Sequence, residues 1–207
     1  MASSDDLAVM FDVAKQEEAT TKLFDAMGVI LRWCADCGLT ITCDKTGVIF
    51  LTGKCMPKVI EMNVEEYLLT TRQAVKYLGV QLDCKRRFGA HLEMVCRKAD
   101  ALTGVSFRSL LPNVNGPTVS VRRVYYGVWE SVVLHAAPVL AKVVNIKKNR
   151  DILKKAQRSA LTRVSMIYRT VSHVVLCVFM GIMPIYFAAE LRVEKFALKR
   201  RINRRGL

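Results

Sequence analysis

Residues 75–102, VKYLGVQLDCKRRFGAHLEMVCRKADAL, hold the boundary on which the fold turns. Up to Asp83 the run reads as a buried strand, Val75 to Leu82, with an exposed aromatic and a bulge at Gly79. Beyond Asp83 the period changes. Leu92, Val95, Ala99 and Leu102 recur at helical spacing and make one apolar face, in a helix that Pro112 closes near Leu111. Strand-like sequence therefore gives way to helix at about residue 84.

Upstream of that boundary, Leu7 to Phe11 reads as a short buried strand behind Asp5 and Asp6. From Lys15 to Cys37 the residues Phe24, Met27, Leu31 and Cys34 mark one long helix, and Gly38 stands where its C-cap is expected. Leu39 to Leu51 reads as a strand-turn-strand or one long strand, and Val59 to Met62 as another. Downstream, Pro117 suits a first helical position, and Val121, Val124, Tyr125, Val128 and Val132 form the expected face of the next helix. Two more helices are expected, over about 149–168 and after Pro184. The fold class is α+β: a few antiparallel strands plus one long helix, then an all-helical region. The expected divisions are 1–83, 84–196 and a basic tail, 197–207.

Charge divides the same way. Residues 1–66 carry 6 Lys/Arg against 11 Asp/Glu, whereas residues 67–207 carry 26 against 7, so an acidic front precedes a strongly basic remainder. A surplus of +14 suits a polyanionic partner better than a neutral metabolite. Lys147, Lys148 and Arg150 with Lys154, Lys155 and Arg158 form one basic cluster able to face a phosphate backbone. Residues 199–205, KRRINRR, form a second, readable as a solvated tail, a nuclear address or a nucleic-acid contact.

The first thirteen residues contain Asp5, Asp6 and Asp12 and no basic n-region, so a secretory leader is not expected. Seven scattered cysteines fit a reduced, intracellular setting, nuclear or cytoplasmic. Cys34-Ala-Asp-Cys37 is followed by Cys43 and Cys55, but no second close pair completes a zinc site, and His91 and Cys96 are too isolated to do so. His135 and His173 are expected to be core residues of apolar helices. Val174 to Ala189 is uncharged over sixteen residues, short of the roughly 20 a membrane helix needs. No stable membrane association is expected.

Asp5-Asp6, the GLT segment at 38–40 with Asp44-Lys45-Thr46, and VKYLGVQLD at 75–83 stand in an order that resembles the C-terminal half of a non-LTR (LINE-type) retrotransposon reverse transcriptase. The likeness is greatest to elements that insert at fixed sites such as ribosomal RNA genes. It continues through SLLPNVNGP at 109–117, YRTVS at 168–172 and GIMPI at 181–185, covering about residues 3 to 196. The resemblance implies a truncated palm followed by a helical thumb-like region. Asp5 and Asp6 would be the paired catalytic aspartates that help hold magnesium. Lys45 would stand near the leaving pyrophosphate, and Tyr77, Leu78 and Gly79 would form a primer-grip hairpin. The partners implied are an RNA template, a DNA primer and an N-terminal polymerase segment.

The chain departs from that family in two respects. Ser3 and Ser4 stand where the family has an aromatic residue and an alanine. The fingers and the first catalytic aspartate of the family have no counterpart in these residues, and two-metal transfer draws carboxylates from separate strands. The expectation is therefore a reverse-transcriptase fragment that does not polymerise DNA alone. The alternative is a non-catalytic nucleic-acid-binding remnant, or an open reading frame whose product folds poorly because its strand edges are exposed.

Overall fold

Val75–Leu82, read as one strand from its apolar residues and as a hairpin from the family resemblance, is a hairpin. Strand β3 (Ala74–Tyr77) pairs antiparallel with β4 (Val80–Asp83), Tyr77 facing Val80 across a turn of Leu78 and Gly79. Both turn residues are left-handed, at φ 46° and 81°, which is the tight turn whose twist matches the strands it joins. A glycine at Gly79 meets that requirement without strain. Leu78 does not, and it carries its side chain 63% exposed at the tip. Gly79 thus reverses the chain where a bulge was expected.

These features come from a computed structural model that describes residues 7–12, 16–42, 46–51, 61–64, 67–110, 118–140 and 143–205. The chain divides into two units, Met1–Arg86 and Arg87–Leu207. The fold is α+β, with the strands in the first unit and an all-helical second unit.

In the first unit, α1 (Gln16–Asp36) occupies the long helix expected there and ends at Gly38, at φ +66°. Strands β1 (Glu61–Val64) and β2 (Tyr67–Thr70) form a second antiparallel pair. Met27 of α1 and Leu69 of β2 make a small core, against which Leu23, Ile30, Leu31 and Ile41 pack. Leu39–Leu51 forms no strand among its described residues. It contributes a single parallel bridge, Val48 to Thr71, and Gly47 lies so close to Val75 that a Cβ there would come within 3.1 Å of its side chain. Arg86 fastens this segment by donating to the Leu51 carbonyl at 2.7 Å. Leu7–Phe11 is likewise no strand: Leu7, Val9, Met10 and Phe11 are all exposed.

The second unit contains α2 (Gly89–Leu110), α3 (Val119–Val133), α4 (Ala137–Leu140), α5 (Lys147–Ser165), α6 (His173–Met180) and α7 (Ile185–Arg205). Its core joins Leu92 and Ala99 of α2, Trp129 of α3, Leu153 and Leu161 of α5, Leu176 and Met180 of α6 and Ile185 of α7. The buried face of α3 is rotated from the one expected. Val121, Val124 and Val128 are exposed, and Tyr126, Trp129 and Val133 are buried instead. Two large aromatics remove more apolar area from water than a row of valines, so they take the core side. Trp129 also satisfies its indole N–H there, donating to Asp100 Oδ1 at 2.9 Å, and Asp100 pairs with Arg163 at 2.6 Å. One carboxylate therefore ties α2, α3 and α5 together.

Neighbouring arginines of α3 cap two other helices. Arg122 donates to the carbonyls of Val164 and Ser165 at the end of α5, and Arg123 donates to Met180 O at the end of α6. Each places a cation at the negative end of a helix dipole. Gly181 ends α6 at φ +59°, and the Arg123 guanidinium occupies the space its Cβ would need. At the other end Ser172 accepts from Val175 N, so α6 is a capped helix of its own.

Among the described residues no single helix is long and apolar enough to cross a membrane; α6 with residues 185–203 passes as a pair bent by 59°, by length and composition only. Leu176, Met180 and Ile185 of that pair are core residues of the helical unit, whereas Val174, Val175, Val178 and Phe179 face outward. Two expectations need correction. His135 lies exposed in the turn after α3, because Leu134, Ala136 and Ala137 take the buried positions around it. Residues 199–205, expected as a tail, are the last turns of α7.

Candidate nucleic-acid interface

Helix α5 buries Asn149, Leu153, Gln157, Ala160, Leu161 and Val164, a stripe at three- and four-residue spacing. Its opposite arc is basic. Lys147 and Lys154 lie two turns apart in one row and Lys148 and Lys155 in the next, about 10 Å between the members of each pair. All four are exposed, and among the described residues none joins an ion pair. The exposed Asp151 is the one acidic residue of the helix, so the face remains strongly positive.

The two arginines of the same cluster are held by the protein itself. Arg150 reaches Glu190 of α7 at 3.8 Å, donates to Asn145 Oδ1 and lies over the Tyr186 ring at 4.8 Å. Arg158 turns toward the loop after α5, donating through Nε to Val171 O at 3.2 Å and through Nη2 to Arg169 O. Its charge still adds to the face, but its donors order the loop. Among the described residues, four lysines of the cluster therefore keep ammonium groups without an ion-pair partner.

Beneath this face lies a polar network that sequence reasoning did not identify. Gln157 is fully buried. Its Nε2 donates to Tyr126 Oη at 2.7 Å and Met183 O at 2.9 Å, and its Oε1 accepts from Ile185 N–H at 2.8 Å. The two backbone partners fix which end of the amide is oxygen. Oε1 also lies 2.7 Å from His173 Nε2, so that nitrogen must carry the proton, and the buried Nδ1 has no partner. Gln157 thus joins α5 to α3, α6 and the start of α7. No residue-spacing signal announces this role, because a glutamine in a basic helix reads as surface.

Burial holds the His173 imidazole below its ordinary range, and the charges of Lys154 and Arg158 push it the same way. Burial, then His135, lowers His91 as well. In both cases the unfolded chain binds the proton more readily than the folded one. Stability is then full above the ordinary value of 6.5 and declines as the pH falls through and below it. Urea midpoints are expected to fall between pH 7.5 and 5.5, and replacing His173 with glutamine and His91 with asparagine should flatten that dependence; an unchanged slope would exclude both groups.

The remaining site residues divide between described and undescribed segments. Asp5, Asp6 and Lys45 lie outside the described residues, as do Cys43, Cys55 and residues 111–117 of the connecting motif. Tyr77 is half-buried beside the exposed turn of Leu78 and Gly79, so the three residues sit at a hairpin end. Among the described residues no three His, Cys, Asp or Glu side chains gather to hold a metal. The Cys96 thiol is pushed up to about 12, first by burial and then by Asp100 and Glu93, which keeps it protonated at neutral pH. A groove of about 370 Å³ between α3 and α7 is lined by Tyr126, Gly127, Glu130, Arg192 and Lys195 among others. Burial raises the Glu130 carboxyl, and Arg192 works against that rise.

Over 199 residues, 96% of its length, the chain is 25% identical to the 115 kDa protein in type-1 retrotransposable element R1DM of Drosophila melanogaster. The match covers 19% of that relative, so the chain spans about a fifth of the longer protein. This similarity relates the chain distantly to a retrotransposon protein. No family model matches it. No solved structure matches it either.

Proposed function

We propose that this chain is part of a retrotransposon reverse transcriptase, and that its helical unit grips the sugar–phosphate backbone of an RNA template–DNA primer duplex. In the whole polymerase Asp5 and Asp6 would be magnesium ligands, Lys45 would stabilise the leaving pyrophosphate, and Tyr77, Leu78 and Gly79 would position the primer end. Three things support this reading: similarity to a retrotransposon protein along almost the whole chain, the ordered motifs, and a hairpin at the grip-like segment. The observation that carries it is the row of free lysines on α5, Lys147, Lys148, Lys154 and Lys155.

Ammonium groups on one helix face neutralise phosphates and release condensed counterions, which makes affinity fall steeply with salt. With about four phosphates neutralised, log K against log[KCl] is expected to have a slope of about −3 to −4. Fluorescence anisotropy on a labelled template–primer between 50 and 300 mM KCl measures it. An affinity that stays flat across that range would refute the backbone contact. The motifs matched here include the family's adjacent carboxylate pair but not its first catalytic aspartate, so no primer extension by the chain alone is expected. Magnesium-dependent extension that is abolished by Asp5→Asn/Asp6→Asn would show instead that the chain is a polymerase by itself.

A further inference from the structure

Ten residues beyond Lys155, at the C-terminal end of α5, the chain leaves the helix through residues 166–172, and several hydrogen bonds hold this loop. Met166 takes the left-handed cap at φ 58°, with its N–H on Thr162 O at 3.1 Å. Ile167 N–H donates to Ser165 Oγ at 3.4 Å, and Val171 N–H closes back on Tyr168 O at 3.1 Å. Arg158 then clamps both Arg169 and Val171 by their carbonyls. At the tip of this braced turn stands Tyr168, 85% exposed. Its neighbour Arg169 is also exposed.

An aromatic ring this exposed gains nothing from the core, and the loop's hydrogen bonds are all made by other groups. What the bracing does is fix the Tyr168 backbone relative to α5. Arg158, which holds the loop, follows Lys154 by one helical turn in the same row. The turn is therefore held at the C-terminal end of α5, about 15 Å along the helix axis beyond Lys155, where a strand continuing past the lysines could meet it. A flat π-face beside cations is the arrangement that holds single-stranded nucleic acid, in which ammonium groups follow the backbone and unpaired bases stack on the ring. Tyrosine suits this use because it offers a large face with few rotatable bonds.

We propose that Tyr168 is a stacking platform for an unpaired nucleotide, placed at the C-terminal end of α5 beyond its lysine face, and that it extends the contact from paired to single-stranded nucleic acid. This rests on the reading of α5 as a backbone-binding surface. Because every base has a π-face, the contact discriminates paired from unpaired strands and is tolerant of sequence.

The test compares two labelled probes, a 12-nucleotide single strand and a blunt 12-base-pair duplex, against the full chain and three variants. Tyr168→Ala is expected to weaken single-strand binding about 5- to 50-fold and leave the blunt duplex within about two-fold. Tyr168→Phe, which keeps the ring, should bind both probes as the unaltered chain does. Lys154→Gln/Lys155→Gln should weaken both probes together. If Tyr168→Ala leaves single-strand binding unchanged, or weakens both probes equally, the stacking platform is refuted while the lysine face stands. If the lysine variant has no effect on either probe, the backbone-binding reading fails, and the platform with it. Because Tyr168 is exposed, Tyr168→Ala is expected to keep the helical content of Tyr168→Phe, and circular dichroism compares the two directly.

Discussion

Replacing Gln157 with leucine is expected to destabilise the helical unit by about 3–5 kcal/mol, the largest stability effect of any single substitution at its polar centre. Leucine fills nearly the same volume and adds apolar surface, so a packing argument alone forecasts little change or even a gain. The hydrogen bonds decide the sign. The substitution removes the partner of the buried Tyr126 hydroxyl and Ile185 N–H and of the part-buried Met183 carbonyl, and leaves the protonated Nε2 of His173 only the Cys177 sulfur at 3.6 Å. Each buried group left without a partner costs about 1–3 kcal/mol, and a partly satisfied network is worse than an apolar core. Ile185 N–H is the first orphan donor of α7, so Gln157 caps that helix from α5, and its loss frees the turn at 181–184 as well. Urea denaturation followed by circular dichroism at 222 nm measures the change. A shift below about 0.5 kcal/mol would mean that water or a rearranged turn replaces the amide, and that the network does not hold the unit together.

Helices with a simple apolar period were legible in the sequence. Spacing of Phe24, Met27, Leu31 and Cys34 located α1, and Leu92, Val95, Ala99 and Leu102 located α2, although Phe24 and Leu102 fall outside the buried faces and are exposed. The rotation of α3 was not legible, because its valines form as regular a row as its aromatics. Only the partners of Trp129 and the reach of Arg122 and Arg123 choose between the two rows. Helix α6 was hidden for a different reason. Its eight residues are apolar all round and merge with the run beyond Gly181, so no period separates them; Ser172 and Gly181 were the signals that bounded it. At 75–83 the apolar alternation runs through Val75 and Tyr77 and resumes one residue out of phase at Val80 and Leu82, a shift that a bulge and a two-residue turn both produce; the left-handed pair Leu78-Gly79 makes it a turn.

The candidate site shows the same division. Charge density picked out Lys147 to Arg158 as a cluster. It could not distinguish Arg150 and Arg158, whose partners Glu190, Arg169 and Val171 lie on other segments, from the four lysines that keep free ends. The distinction needs tertiary structure, since a basic helix reads the same whether its cations meet solvent, protein or phosphate.

Lys147 and Lys148 carry the sharpest consequence of that distinction, because local stability and binding should respond to them in opposite directions. They occupy the first turn of α5, which has no acidic residue there, and Ile146 at its N-cap provides no side-chain hydrogen bond. Two cations at the positive end of a helix dipole are unfavourable, and acidic residues there would be favourable by about 0.3–1 kcal/mol each. Lys147→Glu/Lys148→Glu is therefore expected to raise the stability of the helical unit by about 0.5–1.5 kcal/mol. The same change should weaken template–primer binding about 100-fold at 100 mM KCl and make its salt slope shallower by about 2, because two phosphate contacts are lost. A helix optimised for its own stability would not begin this way, whereas a helix presented to a polyanion would. Paired measurements on one protein preparation, urea midpoint and anisotropy, separate the possibilities. Higher stability with unchanged binding would place the nucleic-acid contact elsewhere on the basic surface, and lower stability would mean that the lysines serve the fold itself.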